Sequence, residues 1–243
     1  MWDFLLDVIF PRQCLGCGKF GKYICDICAK SKIDSFSDQV CPYCEKSSPY
    51  GFTHPRCQQT NSLDGMFVLA HYRGLIPQAV HEIKYQGYFA ITDELASLIA
   101  SRYHYQFDFQ YFIPVPLSQK RQADRGFNQA EKLTQKLSLY VTHRGRESQP
   151  TSSEHKNDQK VINLLVRIRE TRPQFDLKME ERKGNVQDAF ALSPNLLTRS
   201  LSNLSFCLVD DVATTGATIF ECAKILKKSG AEKVYAICIA RGG

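Results

Sequence analysis

The 243-residue sequence lacks the features that would mark a membrane or a secreted protein. No apolar run approaches the roughly 20 residues that a membrane-spanning helix needs. The first ten residues, "MWDFLLDVIF", carry Asp3 and Asp7 and lack the basic segment that begins a secretory signal. The net charge is only +6, which allows an anionic partner but does not require one. With 43% apolar and 23% charged residues, we expect a globular protein located in the cytoplasm.

Cysteine, in contrast, is plentiful, since seven of the ten cysteines fall within the first 57 residues. Disulfides are rare in the cytoplasm, where closely spaced cysteines more often bind metal. The remaining three, Cys207, Cys222 and Cys238, lie in apolar or helical segments. We expect these three to be buried free thiols.

The first cysteine set has the spacing C-x2-C-x7-C-x2-C in "CLGCGKFGKYICDIC". In each C-x2-C turn, called a knuckle below, two thiolates can reach one ion. A glycine after the second cysteine, here Gly18, lets backbone amides face the sulfurs. The spacing therefore predicts a four-thiolate zinc site formed by Cys14, Cys17, Cys25 and Cys28.

The second set lies in "CPYCEKSSPYGFTHPRC", where Cys41 and Cys44 form another knuckle. His54 and Cys57 follow with the spacing of a third and a fourth ligand, which predicts a Cys3His zinc site. The spacing leaves open an interleaved pairing, in which knuckles of the two sets share one ion. In either pairing four protein ligands close each site, so we expect two structural zinc ions that contribute folding energy.

A strand–loop–helix–strand pattern occupies the last part of the sequence. The apolar run "FCLVDD" predicts a buried strand that ends in Asp210 and Asp211. After the loop "VATTGAT", "IFECAKILKK" has apolar residues at helical spacing and precedes Gly230, and "KVYAICIA" predicts another buried strand. The pattern predicts a right-handed βαβ unit in a parallel sheet, with both carboxylates at the edge where such sheets bind ligands.

The loop contains neither G-K-[ST] nor G-x-G-x-x-G, which excludes two common nucleotide-binding loops. Its backbone amides and the hydroxyls of Thr214, Thr215 and Thr218 nevertheless lie before a helix, a setting that suits a phosphate. The adjacent carboxylates repel phosphate and need hydroxyl groups or a cation as partners. A sugar diol that carries a phosphate satisfies both halves of the segment.

The segment "LVDDVATTGAT" resembles the phosphoribosyl-pyrophosphate (PRPP) motif of type I phosphoribosyltransferases. The sequence as a whole resembles the ComF family, the late-competence proteins of natural transformation. The resemblance covers nearly the whole chain in five ordered blocks: "IFPRQCLGCG", "IKYQG", "IPVPLSQKRQADRGFNQAEKL", "RETRPQFDLKMEERKGNVQDAF" and "LVDDVATTGAT". It implies a phosphoribosyltransferase-like α/β fold, a parallel sheet flanked by helices, preceded by a small zinc-knuckle domain.

The resemblance implies a role for each residue of the PRPP motif. Asp210 and Asp211 would hold the ribose 2′- and 3′-hydroxyls, and the loop that follows would hold the 5′-phosphate. The residues of this phosphate loop are Ala213, Thr214, Thr215, Gly216, Ala217 and Thr218. In purine-type relatives an acidic residue stands at the position of Thr214, so the resemblance does not extend to a purine general base.

The resemblance also implies a pyrophosphate loop after "IPVPLS", with Leu117 and Ser118 at its start. Lys84, at the end of a predicted helix, would reach the pyrophosphate, and cations after the loop would neutralise it as it leaves. These cations are Lys120, Arg121 and Arg125. For Lys84 and for all three of these cations, a solvated basic surface is the alternative interpretation.

The sequence divides into two expected domains with separate cores. Residues 1–62 form the zinc-binding domain, and residues 63–243 form the phosphoribosyltransferase-like domain, with a polar insert at about 140–160. Within the second domain we predict a helix over 92–105 with Thr92 as its N-cap, and one strand from "VINLLVRI". Three residues match a family block without assigned chemistry and are expected in packing or in acceptor binding. They are Arg182, Asn185 and Phe190.

Two functions remain open from the sequence. As an enzyme, the protein would transfer a phosphoribosyl group from PRPP, with Mg²⁺ and the catalytic residues Asp210, Asp211 and Arg125, to an acceptor that the sequence does not identify. As a non-catalytic adaptor, it would hold single-stranded DNA, for which net +4 between Lys120 and Glu147 is suitable. The resemblance implies help in importing transforming DNA alongside the ComFA helicase-like ATPase.

Overall fold

The computed structural model describes six segments of the chain, and the statements below refer to them. They are residues 11–86, 89–103, 107–141, 160–171, 179–194 and 200–242. Most of the polar insert predicted at about 140–160 lies outside the described residues. No helix in these segments is both long and apolar enough to cross a membrane.

A five-stranded parallel sheet with the order β1-β7-β6-β2-β3 forms the centre of the fold. Its strands are β1 (Gly65–His71), β2 (Tyr111–Pro114), β3 (Lys160–Val161), β6 (Ser205–Ala213) and β7 (Lys233–Arg241). A second, antiparallel pair consists of β4 (Leu165–Arg167) and β5 (Phe190–Leu192). The long strands of the parallel sheet are apolar and buried almost throughout, as strands covered on both faces must be.

Helices lie on both faces of the sheet. They are α1 (Asp26–Ser31), α2 (Ile76–Gln86), α3 (Phe89–Arg102), α4 (Gln119–Arg125), α5 (Gln129–Val141), α6 (Met179–Val186) and α7 (Ala217–Lys228). Along β6, Cys207 and Val209 face a core shared with α2, α3 and α5, whereas Phe206 and Leu208 face a core shared with α7. The predicted parallel α/β sheet flanked by helices is confirmed.

The predicted βαβ unit is present as β6, α7 and β7. Its two strands pair in parallel, from Ser205 opposite Lys233 to Ala213 opposite Arg241. α7 buries Ile219, Cys222, Ala223 and Leu226, the i, i+3, i+4 and i+7 positions of one face. Each fully buried aliphatic side chain contributes about 1.5–3 kcal/mol relative to an exposed one. The three thiols outside the knuckles, on β6, α7 and β7, are free and buried, as predicted.

The strand predicted from "VINLLVRI" is wrong, because the segment divides between two sheets. β3 pairs with β2 only at Tyr111 and Phe112, and the Ile162 N–H donates to the Phe112 carbonyl (3.0 Å). The next residue on that edge of β2 is Pro114, which has no N–H to donate, so the ladder stops. The chain then leaves the sheet, and β4 pairs with β5 instead.

The prediction of Thr92 as an N-cap is also wrong. α3 begins at Phe89, so Thr92 lies inside its first turns, 1% exposed. Its hydroxyl has no hydrogen-bond partner among the described residues. Asn128, directly before α5, does act as a cap, because its side chain accepts a hydrogen bond from the Ala130 N–H (3.0 Å).

The cysteine-rich region packs against the α/β fold rather than standing apart from it. Ile24, Cys28 and Ile33 belong to the same buried cluster as the residues of α2 and α3. Glu94 on α3 accepts hydrogen bonds from the backbone N–H groups of Tyr23 (3.0 Å) and Ile24 (2.6 Å). The expectation of separate cores is therefore wrong, because apolar residues before and after residue 62 pack together in one hydrophobic core.

Candidate ligand site and metal clusters

Asp210 and Asp211 lie near the carboxyl end of β6, the central strand of the parallel sheet. The neighbouring strand β2 ends beside them, because Pro114 pairs with Val209 and the Val115 N–H donates to the Val209 carbonyl (2.9 Å). The loops that follow β2 and β6 therefore leave the sheet at the same edge. This edge brings together the two segments in which the sequence predicts ligand-binding residues.

Lys84, at the end of α2, forms an ion pair with Asp211, with 2.8 Å between Nζ and Oδ2. Both side chains are largely buried, with 21% of Lys84 and 11% of Asp211 exposed. The alternative that Lys84 is a solvated surface lysine is therefore wrong. Its ammonium group contacts the predicted diol-binding carboxylate directly.

The two carboxyl groups titrate in opposite directions. Burial and the negative charge of Asp211 raise the pKa of Asp210 well above its ordinary value. Burial works against ionisation of Asp211 too, but the charge of Lys84 and its hydrogen bond outweigh burial and lower the pKa of Asp211. The pair thus holds one firmly ionised carboxylate and one carboxyl group that retains its proton more readily.

Gln129, at the start of α5, is a site residue that the sequence analysis missed. Its Nε2 donates to Asp211 Oδ2 (3.2 Å), and its Oε1 accepts from Arg125 Nη1 (3.0 Å). Among the contacts of the described residues, Arg125, predicted as catalytic, is linked to the acid pair through this amide. Gln129 is 5% exposed, and the sequence signal for it was a polar residue on the inner face of an amphipathic helix.

The phosphate loop after β6 turns at Gly216, which has a φ of +75° and caps the start of α7. This left-handed conformation favours glycine. The Ala217 N–H lies 3.4 Å from Thr215 Oγ1, and Ala217 begins the helix. Thr214 and Thr218 are half-buried in the same loop, which follows Ala213 at the end of β6.

The loop after β2 contains Leu117 and Ser118, as predicted, and leads into α4. Ser118 is 2% exposed and accepts a hydrogen bond from the Arg121 N–H (3.4 Å). The Lys120 N–H donates to Glu170 Oε1 (3.2 Å). Hydrogen bonds from Ser118 and Lys120 lower the pKa of Glu170. A carboxylate of the chain itself therefore lies where the sequence predicts a pyrophosphate loop.

Arg167, on β4, is a second residue that the sequence analysis missed. It is partly buried over the Phe190 ring, with 5.3 Å between its Cζ and the ring centroid, and it donates to Thr171 Oγ1. Burial and the charge of Arg121 lower its pKa. Its Nε is buried without a partner among the described residues.

The family block around Arg182 has mixed locations. Phe190 is 4% exposed and packs in the core beside α7, which confirms a packing role. The Asn185 carbonyl accepts from Arg169 (3.1 Å). Arg182 is half-buried on α6.

The first cysteine set forms one compact cluster. The sulfurs of its four members all lie within 4.8 Å of one another. The Gly18 N–H donates to the Cys14 carbonyl (2.7 Å), and Gly18 has a φ of +75°, so the knuckle turns as predicted. The Cys25 N–H points at the Cys14 sulfur (3.4 Å). The members are Cys14, Cys17, Cys25 and Cys28.

The second set forms a separate cluster of the same size, made by Cys41, Cys44, His54 and Cys57. The interleaved pairing is therefore excluded. His54 Nδ1 lies 3.3 Å from the Cys44 sulfur, and His54 Nε2 lies 3.1 Å from the Ser47 carbonyl. A proton on Nε2 would donate to that carbonyl and leave Nδ1 free for a metal, the arrangement that orients histidine ligands.

Both donor sets fit zinc. Three or four thiolates, with or without one imidazole, are the donors of closed structural zinc sites. Among the described residues, only these two clusters bring three or more metal-ligating side chains together. The acid pair is thus not a protein-only cage for a cation, and its polar partners are Lys84 and Gln129.

Comparisons with known proteins give similarity over almost the whole chain. No protein-family model matches it. The chain is 31% identical to competence protein F of Haemophilus influenzae over 226 residues, 90% of each chain. It is 28% identical to DNA utilization protein YhgH of Escherichia coli over 240 residues, 95% of this chain and 94% of that protein. It is 26% identical to competence protein ComFC of Streptococcus pneumoniae over 250 residues, 94% of this chain and 100% of that protein.

The fold and the site define an α/β protein with a polar site at the carboxyl edge of a parallel sheet and with two clusters of cysteine and histidine side chains that could hold zinc. Its similarity to competence protein F, over 90% of both chains, identifies the lineage. The chain belongs to the ComF family.

Proposed function

We propose that this protein supports the uptake or processing of single-stranded DNA in natural competence, and that its sheet-edge site binds a phosphoribosyl ligand such as PRPP with Mg²⁺. The names of the similar proteins, which refer to competence and to DNA utilization, support the first half. One observation carries the second half: a carboxyl pair, with Asp211 buried and Asp210 half-buried, precedes a glycine-turned threonine loop at the carboxyl edge of the sheet.

In this proposal each half of the site recognises one part of the ligand. Asp210 and Asp211 accept hydrogen bonds from the ribose hydroxyls, and the loop from Ala213 to Thr218 donates to the 5′-phosphate. Lys84 keeps Asp211 ionised, so that a hydroxyl can donate to it. The loop after β2 leaves the same edge and faces the pyrophosphate, which Lys120 and Arg121 neutralise.

The proposed reaction is displacement at the ribose C1. The bond from C1 to the pyrophosphate oxygen breaks with its electron pair, and the acceptor forms the new bond to C1. The protein needs no nucleophile of its own, because positioning and charge neutralisation lower the barrier. Magnesium, bound through the pyrophosphate oxygens, would stabilise the departing charge.

Calorimetry with Mg-PRPP tests the ligand. We expect binding to the wild-type protein and weaker binding to Asp211→Asn and to Asp210→Asn. Loss of a hydrogen bond to a charged group typically costs about 1.5–3 kcal/mol, roughly 10- to 150-fold in affinity. Equal affinity in the wild type and in both variants would contradict the site assignment.

A second candidate function, a non-catalytic adaptor for single-stranded DNA, is favoured by one surface. Arg125 lies over the Tyr85 ring (5.4 Å to its centroid), and Lys132 lies over the Phe89 ring (5.3 Å). Phe89 and Phe127 contact edge to face, with 4.9 Å between centroids. Tyr85 is 60% exposed and Phe89 is 40% exposed. Exposed aromatic rings beside cations suit unpaired bases and their phosphates.

Variants of the two surfaces separate the candidates. Phe89→Ala with Lys132→Ala should weaken single-stranded DNA binding and reduce its salt dependence by about 0.7 units of slope for the lost cation. Asp210→Asn with Asp211→Asn should leave DNA binding intact. Transformation in cells then decides: if only the surface variant fails, the protein is an adaptor. Failure of a folded, DNA-binding aspartate variant supports the phosphoribosyl function.

Two further assignments are parts of the proposal. A ComFA-type helicase-like ATPase is the proposed protein partner, and pull-down of the two purified proteins tests it. The division into a zinc-binding domain, residues 1–62, and a phosphoribosyltransferase-like domain, residues 63–243, is the proposed domain organisation, and described residues of both share one core.

A further inference from the structure

The second knuckle contacts the end of the phosphate loop through an aromatic stack. Tyr43 lies between the cluster residues Cys41 and Cys44, and its ring stacks on Phe220, with 4.8 Å between centroids and 17° between planes. Phe220 is in the first turn of α7, directly after the loop. A Cβ added to Gly216 would lie 2.8 Å from the Phe220 ring, so this ring rests against the loop backbone.

The same knuckle forms an ion pair with a residue of β7 that lies beside the start of the loop. Glu45 Oε1 lies 2.6 Å from Arg241 Nη2, at the end of β7. Arg241 is 9% exposed and stands opposite Ala213 in the β6–β7 register. The Gly242 N–H also approaches the Ala213 carbonyl (3.4 Å). Ala213, which begins the loop, is therefore the register partner of an arginine that pairs with Glu45, whose side chain is 72% exposed.

The conformation of the knuckle places both contacts. The Glu45 N–H donates to the Cys41 carbonyl (2.9 Å), and Glu45 has a φ of +58°, the same turn that Gly18 makes in the first knuckle. The Tyr43 hydroxyl accepts from the Leu63 N–H (2.7 Å), which fixes the far end of its ring. Metal ligands on both sides of Tyr43 define the direction in which the ring points.

We propose that the second metal knuckle, residues 41–45, positions the phosphate loop, with Tyr43 and Glu45 as positioning residues at its two ends. The inference rests on the proposed phosphoribosyl site, because that ligand is what the loop would hold. Metal bound by Cys41, Cys44, His54 and Cys57 raises the affinity of the loop for a phosphate-bearing ligand. By linkage, the ligand strengthens metal binding by the same factor.

Hydrogen exchange of the peptide that spans residues 213–218 tests the inference in the zinc-loaded protein. Tyr43→Ala should exchange faster in this peptide and bind Mg-PRPP about two- to twelve-fold more weakly, the usual value of an aromatic pair. Tyr43→Phe keeps the stacked ring, loses the hydrogen bond from the Leu63 N–H, and should restore most of the loop protection. Tyr50→Ala removes an exposed tyrosine from the same region and should change neither measurement.

The zinc content of the variants shows whether faster loop exchange comes from loss of the Tyr43 contact or from loss of zinc. Tyr43→Ala should retain both zinc ions, and Mg-PRPP should slow the extraction of one of the two by a chelator.

If Tyr43→Ala fails to fold, Phe220→Leu removes the same stack with little loss of apolar volume and should give the same faster exchange. Wild-type exchange rates in the folded variants would overturn the inference. If the wild type does not bind PRPP at all, the proposed ligand is wrong, while the exchange rates still decide whether the knuckle positions the loop.

Discussion

At the scale of single residues, the ion pair between Lys84 and Asp211 keeps Asp211 ionised and stabilises the buried carboxylate. Lys84→Met removes the cation and leaves a buried carboxylate without its partner. We expect a loss of about 3 kcal/mol in the free energy of unfolding at neutral pH, at the lower end of the range for a broken buried pair. Urea denaturation measures this loss.

The pH dependence of the same variant has a definite sign. Lys84 lowers the pKa of Asp211, so its stabilisation is present above the unfolded-state pKa and is lost as pH falls through the folded-state pKa. The difference between wild type and Lys84→Met should therefore shrink in acid. Lys84→Met combined with Asp211→Asn, which removes both charges, should recover most of the stability. An equal deficit at all pH values would contradict the ion-pair explanation.

Asp210 predicts a proton release when the proposed ligand binds. Its raised pKa means that the free protein holds a proton there more readily than an ordinary aspartate. A ribose hydroxyl that donates to this carboxyl group favours the ionised form, so binding expels the proton and affinity rises with pH through the pKa of Asp210. Calorimetry in two buffers of different ionisation enthalpy measures the release. Asp210→Asn should abolish it, and proton uptake would contradict the prediction.

At the scale of elements, the loop between β6 and α7 makes a sharp prediction about two glycines. Gly216 and Gly126 both have a left-handed φ, +75° and +77°, but only Gly216 has a side chain, Phe220, within 4 Å of an added Cβ. Gly126→Ala should cost about 1–2 kcal/mol from backbone strain alone. Gly216→Ala should cost about 1–3 kcal/mol more, because Phe220 can move only by leaving Tyr43.

Thermal or urea unfolding of the two glycine variants tests this difference. Gly216→Ala should also weaken Mg-PRPP binding, whereas Gly126→Ala should not. Equal destabilisation of the two proteins would mean that Phe220 does not confine the loop.

The elements show which parts of the fold are readable from local pattern. β6, α7 and β7 were predictable because an apolar run, a turn and an amphipathic segment each signal their structure locally. The division of "VINLLVRI" was not, because it depends on Pro114 in a distant strand and on pairing with β5. An apolar run predicts that a strand is buried but does not predict which strand it pairs with.

The site divides in the same way. The carboxyl pair, the loop and both metal clusters were predictable, since chemistry at short spacing fixes them. Gln129 and Arg167 were not, because their roles arise from contacts across the fold with Asp211 and Phe190. The pairing of Lys84 with Asp211, rather than with a ligand, likewise depends on how α2 packs against β6.

At the scale of the whole molecule, metal removal should destabilise the entire chain. Cys14 and Cys28 of the first cluster are 3% and 2% exposed within the core that also contains α2 and α3. Loss of zinc leaves these thiolates without a counter-charge in an apolar setting. We expect one cooperative unfolding transition that moves to lower temperature on chelation.

Differential scanning calorimetry with chelator, and with zinc-saturated chelator as the control, measures this transition. A transition that is unchanged by the chelator, beside a smaller one that disappears, would contradict a shared core. It would support two cores that unfold independently.

The three thiols buried on β6, α7 and β7 allow cysteine alkylation to distinguish opening of the metal clusters from opening of the sheet. In the zinc-loaded protein, metal protects the seven cluster cysteines, and packing protects Cys207, Cys222 and Cys238, each 0% exposed. An alkylating reagent added with a chelator should modify seven sites if the cysteine-rich region opens while the sheet stays folded, because Cys14, Cys28 and Cys41 are themselves buried. It should modify ten if the sheet opens as well. The mass of the alkylated protein thus shows whether loss of metal also unfolds the sheet that contains the candidate site.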